Sequence, residues 1–160
     1  MTFQPDENGI YAIVAASPAR RIFGCAVLLL LGGLLLYVAL ASPPSAGWLI
    51  FMLVFGLGAL WLAEMVRRTG LGHVELTATE LRDSHGRVLA RMEDIARVER
   101  GAFAFLKPSN GFTLRLKAPK PRAWAPGLWW RLGRRVGVGG ITSAGQAKFM
   151  AEQIAFRLES

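Results

Sequence analysis

The 160-residue chain has one cysteine, Cys25, and two histidines, His73 and His85. One thiol rules out an intrachain disulfide and the four-cysteine zinc patterns, and two histidines are too few for a histidine-only metal triad. Acidic residues are also scarce, 11 against 19 lysines and arginines, giving a net charge of +8 and a pI near 10.8. The low hydrophobicity of disordered chains is missing: 52% of residues are apolar and the mean hydropathy is +0.35.

Charge is absent from residues 22 to 41, a run of 20 with eight leucines, and residues 47 to 66 form a second run of 20 with Glu64 its only charge. A helix rises about 1.5 Å per residue, so each run spans roughly the 30 Å of a bilayer's hydrocarbon core. At about 0.5 kcal/mol per leucine, leucine alone favours insertion of the first run by roughly 4 kcal/mol. Neither run has the polar face of a helix packed on a soluble core. Glu64 lies within one turn of the end, where its carboxylate reaches the headgroups.

Ser42-Pro43-Pro44-Ser45-Ala46 separates the two runs. The prolines stop the first helix, and so short a loop allows only a helical hairpin with both ends on one side. Arg20 and Arg21 precede the first span, Arg67 and Arg68 follow the second, and the loop is uncharged. By the positive-inside rule both termini are cytoplasmic. Trp48 and Trp61 stand near opposite ends of the second span and join the four arginines as interfacial anchors. Gly32-Gly33 and Gly56/Gly58 allow close helix approach. A cleaved signal peptide is the rival reading, since Arg20-Arg21, an apolar stretch and Ala39-Leu40-Ala41 mimic its three parts. The stretch is longer than a signal h-region, and 21 residues precede it.

Residues 1–21 read as a loose cytoplasmic arm, broken by Pro5 and Pro18. Residues 69–160 read as a compact domain of short strands and one helix. Val74, Leu76 and Ala78 alternate with Glu75 and Thr77 as in a half-buried strand. Asp83-Ser84-His85-Gly86 forms a turn before a strand over 87–92, and Glu93-Asp94-Ile95 leads into a strand running towards Phe105. Pro108-Ser109-Asn110-Gly111 is a hairpin turn. Phe112, Leu114 and Leu116 then face one side, opposite Thr113, Arg115 and Lys117. A proline-containing loop is expected over 118–127, then short strands over 129–132 and 134–138. Ser143 and Gln146 have capping-box spacing ahead of a terminal helix. Ala147, Met150, Ala151, Ile154 and Leu158 fall on its core face, and Phe149 and Phe156 on the opposite face, where they are candidates for partner contact.

Residues 107–135 hold no acid but carry Lys107, Arg115, Lys117, Lys120, Arg122, Arg131, Arg134 and Arg135, interleaved with Trp124, Trp129 and Trp130. Cations feel the negative potential of an anionic leaflet and indoles prefer the interface, so these eleven are the candidate lipid-headgroup residues. Thr69-Gly70-Leu71-Gly72 reaches about 13 Å at full extension and holds the domain close to the bilayer. Nucleic acid is the other ligand for such a surface, but no helix-turn-helix, RNA-recognition or zinc motif accompanies it.

Six or seven short strands followed by one C-terminal helix is the order of a pleckstrin-homology-like (PH-like) barrel or sandwich. With Leu76-Thr77-Ala78-Thr79-Glu80-Leu81-Arg82, Gly86-Arg87-Val88-Leu89, Glu93-Asp94-Ile95 and Val136-Gly137-Val138 ahead of Ser143, the chain resembles bacterial PH-like domains of small membrane proteins that carry two membrane helices before the domain. The resemblance implies a membrane hairpin plus an α+β domain, and a binding or assembly module in place of an enzyme. The phosphoinositide site of PH domains is not carried across, because the early turns hold Glu80 and Asp83 beside only Arg82 and Arg87.

No catalytic pattern emerges. Gly137, Gly139 and Gly140 precede a helix, but neither the Walker lysine–hydroxyl pair nor the dinucleotide fingerprint is present. Cys25 lies in a span, away from both histidines, and Glu93 and Asp94 are sequence neighbours that point apart. The expectation is a non-enzymatic, cofactor-free binding, assembly or regulatory protein with a basic surface near anionic phospholipid and an unknown protein partner. A lipid-headgroup sensor and an accessory subunit of a transport or envelope complex are the alternatives; the uncharged spans weaken a transport role.

Overall fold

The computed structural model describes residues 4–99 and 111–160. Lys107, the expected course towards Phe105 and most of the turn at 108–111 lie outside them. The chain divides into two units, Pro18–Arg68 and the sheet domain formed by Met1–Ser17 with Thr69–Ser160.

The first unit is a helical hairpin, α1 (Pro18–Ala41) and α2 (Ala46–Thr69, its last residue counted with the sheet domain). Pro18 opens α1, where its fixed φ suits the first turn and its missing N–H costs nothing. Both helices are long and apolar enough to cross a membrane. Leu30 and Leu40 are 73% and 76% exposed, and helices that leave large apolar side chains uncovered along their length need an apolar solvent. The helices approach closely at Gly32 and Gly56. A Cβ on Gly32 would lie 2.9 Å from the Gly56 carbonyl oxygen, and one on Gly56 would lie 3.0 Å from Leu36 Cγ. Gly33 and Gly58 face open space, so only one glycine of each expected pair makes the approach.

The sheet domain begins with the segment expected to be a loose arm. Ile10-Tyr11-Ala12-Ile13-Val14-Ala15 forms β1 (Ile10–Ala15). A turn launches it: Asp6 Oδ1 accepts the amides of Asn8 and Ile10, each at 2.9 Å, and Gly9 takes φ +74°. β1 pairs antiparallel with β2 (His73–Thr77), placing Val14 opposite Val74 and Ala15 opposite His73. The arm is ordered because Ala12 and Val14 bury apolar surface while Ile13 stays outside, the alternation of a half-buried strand. The helical hairpin is thus inserted between two paired strands.

β3 (Glu80–Asp83) and β4 (Val88–Arg91) complete an antiparallel sheet in the order β1-β2-β3-β4. β2 stops at Thr77, and Ala78, expected to face inward, is exposed. A single 3-10 turn, Met92–Asp94, leads into β5 (Ile95–Glu99), which pairs with β6 (Phe112–Ala125), itself paired with β7 (Trp129–Val138). α3 (Ala144–Glu159) covers the core with Ala147, Met150, Ala151 and Ile154. One apolar cluster joins both sheets and the helix, with Val14, Leu76, Leu81, Leu114, Trp129, Val138, Met150 and Ile154 almost wholly buried.

The expected α+β composition is present, with seven strands and a C-terminal helix among the described residues. Among the described residues the strands form two separate ladders and no closed barrel. Bonds outside the ladders connect them. Ala16 bridges Thr142 at one margin. At the other, the Arg131 guanidinium donates to the Val88 and Leu89 carbonyls of β4 at 2.9 and 3.1 Å, satisfying edge acceptors that a further strand would otherwise take.

The loop expected over 118–127 is mostly strand. β5 pairs with β6 only as far as Leu116, so Pro119 and Pro121 lie where β6 has an edge and no amide is needed on that side. Register shifts on either side of Lys120 take up the irregularity. Between the pairs Arg115↔Arg135 and Ala123↔Arg131, β6 advances eight residues and β7 four. β7 also runs through the expected break at Gly133, which takes φ +57°. A ten-residue strand would extend about 33 Å, yet Gly139 N–H, just past its end, bonds the Leu128 carbonyl, just before its start, at 2.9 Å. The β6–β7 ribbon therefore doubles back, with Gly133 opposite Lys120 at the bend.

The expected capping box does not form. Ser143 is the N-cap by backbone geometry but makes no side-chain cap bond. Gln146 Oε1 instead accepts the Ala15 amide of β1 at 3.1 Å, because that edge N–H has greater need of an acceptor than the solvated start of α3.

Candidate membrane-surface interface

The bent ribbon sorts the basic stretch into paired and unpaired cations. Arg115 and Arg135 are directly opposite on β6 and β7, a repulsive arrangement on its own. Glu99 of β5 offsets it, with carboxylate oxygens 3.8 Å from Arg115 and 3.9 Å from Arg135. Lys120 donates to Asp94 at 2.7 Å, and this bond holds the Asp94 carboxyl below the usual aspartate range. Arg131 is committed to the carbonyls of Pro121, Val88 and Leu89. Its guanidinium closes a sheet edge.

Trp129, expected among the headgroup residues, is instead part of the core. It is 1% exposed and its indole N–H points to Asp83 Oδ2 at 3.3 Å. Asp83, 2% exposed, also accepts the backbone amides of His85 and Arg87 at 3.0 Å each and Arg87 Nε at 2.8 Å. The Arg87 guanidinium stands over the Trp129 ring, 5.1 Å from its centroid. Every oxygen of this buried carboxylate is occupied, which makes the node a structural pin.

Among the described residues, Lys117, Arg122 and Arg134 remain exposed and form no ion pair. They accompany Trp124, 49% exposed, its cross-strand partner Trp130, and Leu132, 61% exposed and overlooked in the sequence reading. Arg122, Ala123, Trp124, Trp130, Arg131 and Leu132 line a shallow groove of about 450 Å³. The missing side chain of Gly137 seats Trp130: a Cβ there would stand 2.3 Å from the indole Cε2 and Nε1. Within the sheet domain, Thr69 Oγ1 donates to the Pro126 carbonyl at the tip of the ribbon, at 2.8 Å.

The other expected sites are dispersed. Arg67 and Arg68 each place Nε 2.7 Å from Glu64 on the last turns of α2, so these anchors neutralise the one acid of that span. Trp48 and Trp61 are each 60% exposed near the two ends of α2, and Arg20 and Arg21 lie in the first turn of α1. Phe149 and Phe156 stand 44% and 58% exposed on α3, away from its core face. On the outer face of β2 and β3, His73 Nε2 lies 2.7 Å from one Glu75 oxygen and Arg82 Nε 3.1 Å from the other. Both bonds, His73 first, hold the Glu75 carboxyl below the usual glutamate range. Arg157 lies 3.6 Å above the Tyr11 ring and donates to the Thr77 carbonyl, and its burial draws its pKa below the usual guanidinium range.

Comparison of the chain with protein-family models, curated proteins and solved structures finds no match. What the chain presents is a pair of apolar helices able to span a membrane, inserted between neighbouring strands of an α+β domain.

Proposed function

We propose that this protein is a membrane-anchored, non-enzymatic module of PH-like type. It holds its sheet domain at the cytoplasmic face of the inner membrane, beside anionic lipid, as a platform for binding or assembly. The observation that carries this reading is the insertion of the helical hairpin between β1 and β2. Only Ala16-Ser17 joins β1 to α1, and only Gly70-Leu71-Gly72 joins α2 to β2. Two short tethers restrict the domain far more than one, and they raise its effective concentration at the bilayer surface. A partner bound there is held at the membrane without entering it.

The test is topology in cells. In a Cys25→Ser background, Asp6→Cys, Ser42→Cys and Ser160→Cys are labelled with a membrane-impermeant maleimide. Position 42 is labelled from outside, and positions 6 and 160 only after permeabilisation. Labelling of 6 or 160 in intact cells overturns the proposal.

A further inference from the structure

We infer that the outward face of the β6–β7 ribbon is a second membrane contact, in which Trp124, Trp130 and Leu132 enter the interface of an anionic bilayer while Lys117, Arg122 and Arg134 take up its phosphates. The inference rests on the membrane-anchored reading above and names the surface that meets the lipid. It narrows the basic stretch to six of its described residues, which combine solvent access with the absence of an ion pair or carbonyl bond.

Three observations support it. First, the cations divide by function. Arg115, Lys120, Arg131 and Arg135 already have carboxylate or carbonyl partners, and withdrawing them would leave Glu99, Asp94 and the β4 edge unsatisfied. Lys117, Arg122 and Arg134 have no such commitment. Second, the apolar members are placed to enter a lipid interface. Leu132 and Trp124 are 61% and 49% exposed on a ribbon whose opposite side contributes Trp129 and Ala125 to the core. An exposed leucine beside two indoles, flanked by arginines, combines an apolar body with a charged rim, as amphipathic interfacial elements do. A soluble anion would use the rim and leave the apolar groove wet. Third, within the sheet domain the Thr69–Pro126 hydrogen bond ties the ribbon tip to the first residue of that domain after the hairpin, and Trp124 lies two residues from that tie.

Trp130 sets the shape of this face. Its ring rests on Gly137, so one side of the indole is packed and the other lines the groove. A preorganised aromatic loses little side-chain freedom when it meets the interface.

The test uses the full chain in nanodiscs of phosphatidylcholine alone or of phosphatidylcholine with phosphatidylglycerol. In the Cys25→Ser background, Leu132→Cys carries an environment-sensitive fluorophore, and brominated acyl chains act as the quencher. A separate Leu34→Cys label on α1 reports insertion of the hairpin. The expected result is quenching at 34 in both lipids, and at 132 strongly only in the anionic one. Each cation near such a surface is worth a factor of about five. Lys117→Gln, Arg122→Gln and Arg134→Gln together therefore weaken the contact at 132 on the order of 100-fold, and the exposed control Lys148→Gln leaves it unchanged. High salt weakens it in the same direction. Quenching at 34 with a water-exposed label at 132 in both lipids overturns this inference and leaves the anchored module standing; absence of quenching at 34 overturns both. Burial of the 132 label by a second copy or a protein, without lipid quenching, also overturns it.

Discussion

Val14 and Ile13 are adjacent, and the fold assigns them opposite fates. Val14 is fully buried against Val74 of β2, while Ile13 is 40% exposed opposite Glu75. Replacing each with threonine keeps the β-branch and separates burial from strand propensity. Val14→Thr is nearly isosteric, so it opens no cavity and acts by placing a hydroxyl in an apolar site, at about 1–3 kcal/mol. Ile13→Thr puts the hydroxyl into solvent and costs about 0.5 kcal/mol or less. Hydrogen exchange of the full chain in nanodiscs reads both through the β2 amides. At a factor of ten per 1.4 kcal/mol, Val14→Thr accelerates their exchange roughly 5- to 150-fold, and Ile13→Thr about twofold. Equal effects, or none from Val14→Thr, would refute β1 as a sheet strand and with it the double tether. A loose N-terminal arm predicts that neither substitution alters β2.

Asp83→Ala strips acceptors from two backbone amides, Arg87 Nε and the Trp129 indole. It should cost about 3–5 kcal/mol, while Arg87→Met, at a half-exposed guanidinium, costs about 1 kcal/mol or less; exchange of β3 amides distinguishes the two. Gly137→Ala drives a methyl into the Trp130 ring and costs about 1–3 kcal/mol, and the Trp130 indole N–H resonance should move while that of Trp129 stays in place. Lys120 holds the folded-state pKa of Asp94 down, so the stability this pair adds is present above the ordinary aspartate pKa and is lost as pH falls through the folded value. In Lys120→Gln the Asp94 carboxyl titrates nearer its ordinary value, observable by carbon NMR, and an unchanged titration would contradict the pairing.

Much of the site was legible, but not its membership. The acid-free composition of 107–135 marked a surface with an excess of cations. It did not show which cations acids elsewhere in the chain would claim. Glu99 reaches Arg115 and Arg135, and Asp94 reaches Lys120, only because β5 and the turn before it fold against β6. Trp129 and Trp130 are sequence neighbours with opposite environments, as strand alternation requires. Which of the two faces the core depends on the register Trp124↔Trp130. The strand at 10–15 had a readable signal, a β-branched and aromatic run after Asp6-Glu7-Asn8-Gly9, which the short charged surroundings obscured.

The sequence by itself determined the membrane-class helices, their loop, the strands at β2, β4 and β5, and the core face of α3. These follow from composition and period within a window of about twenty residues or fewer, where local hydrophobicity and turn chemistry suffice. Only the tertiary structure decided that β1 pairs with β2 across the whole hairpin, that Pro119 and Pro121 lie within a strand, that Gln146 serves β1 and not its own helix, and that Lys117, Arg122 and Arg134 are left over among the described cations of the basic stretch. Each depends on a partner distant in sequence, and a long-range hydrogen bond or ion pair has no periodicity that the chain could display in advance.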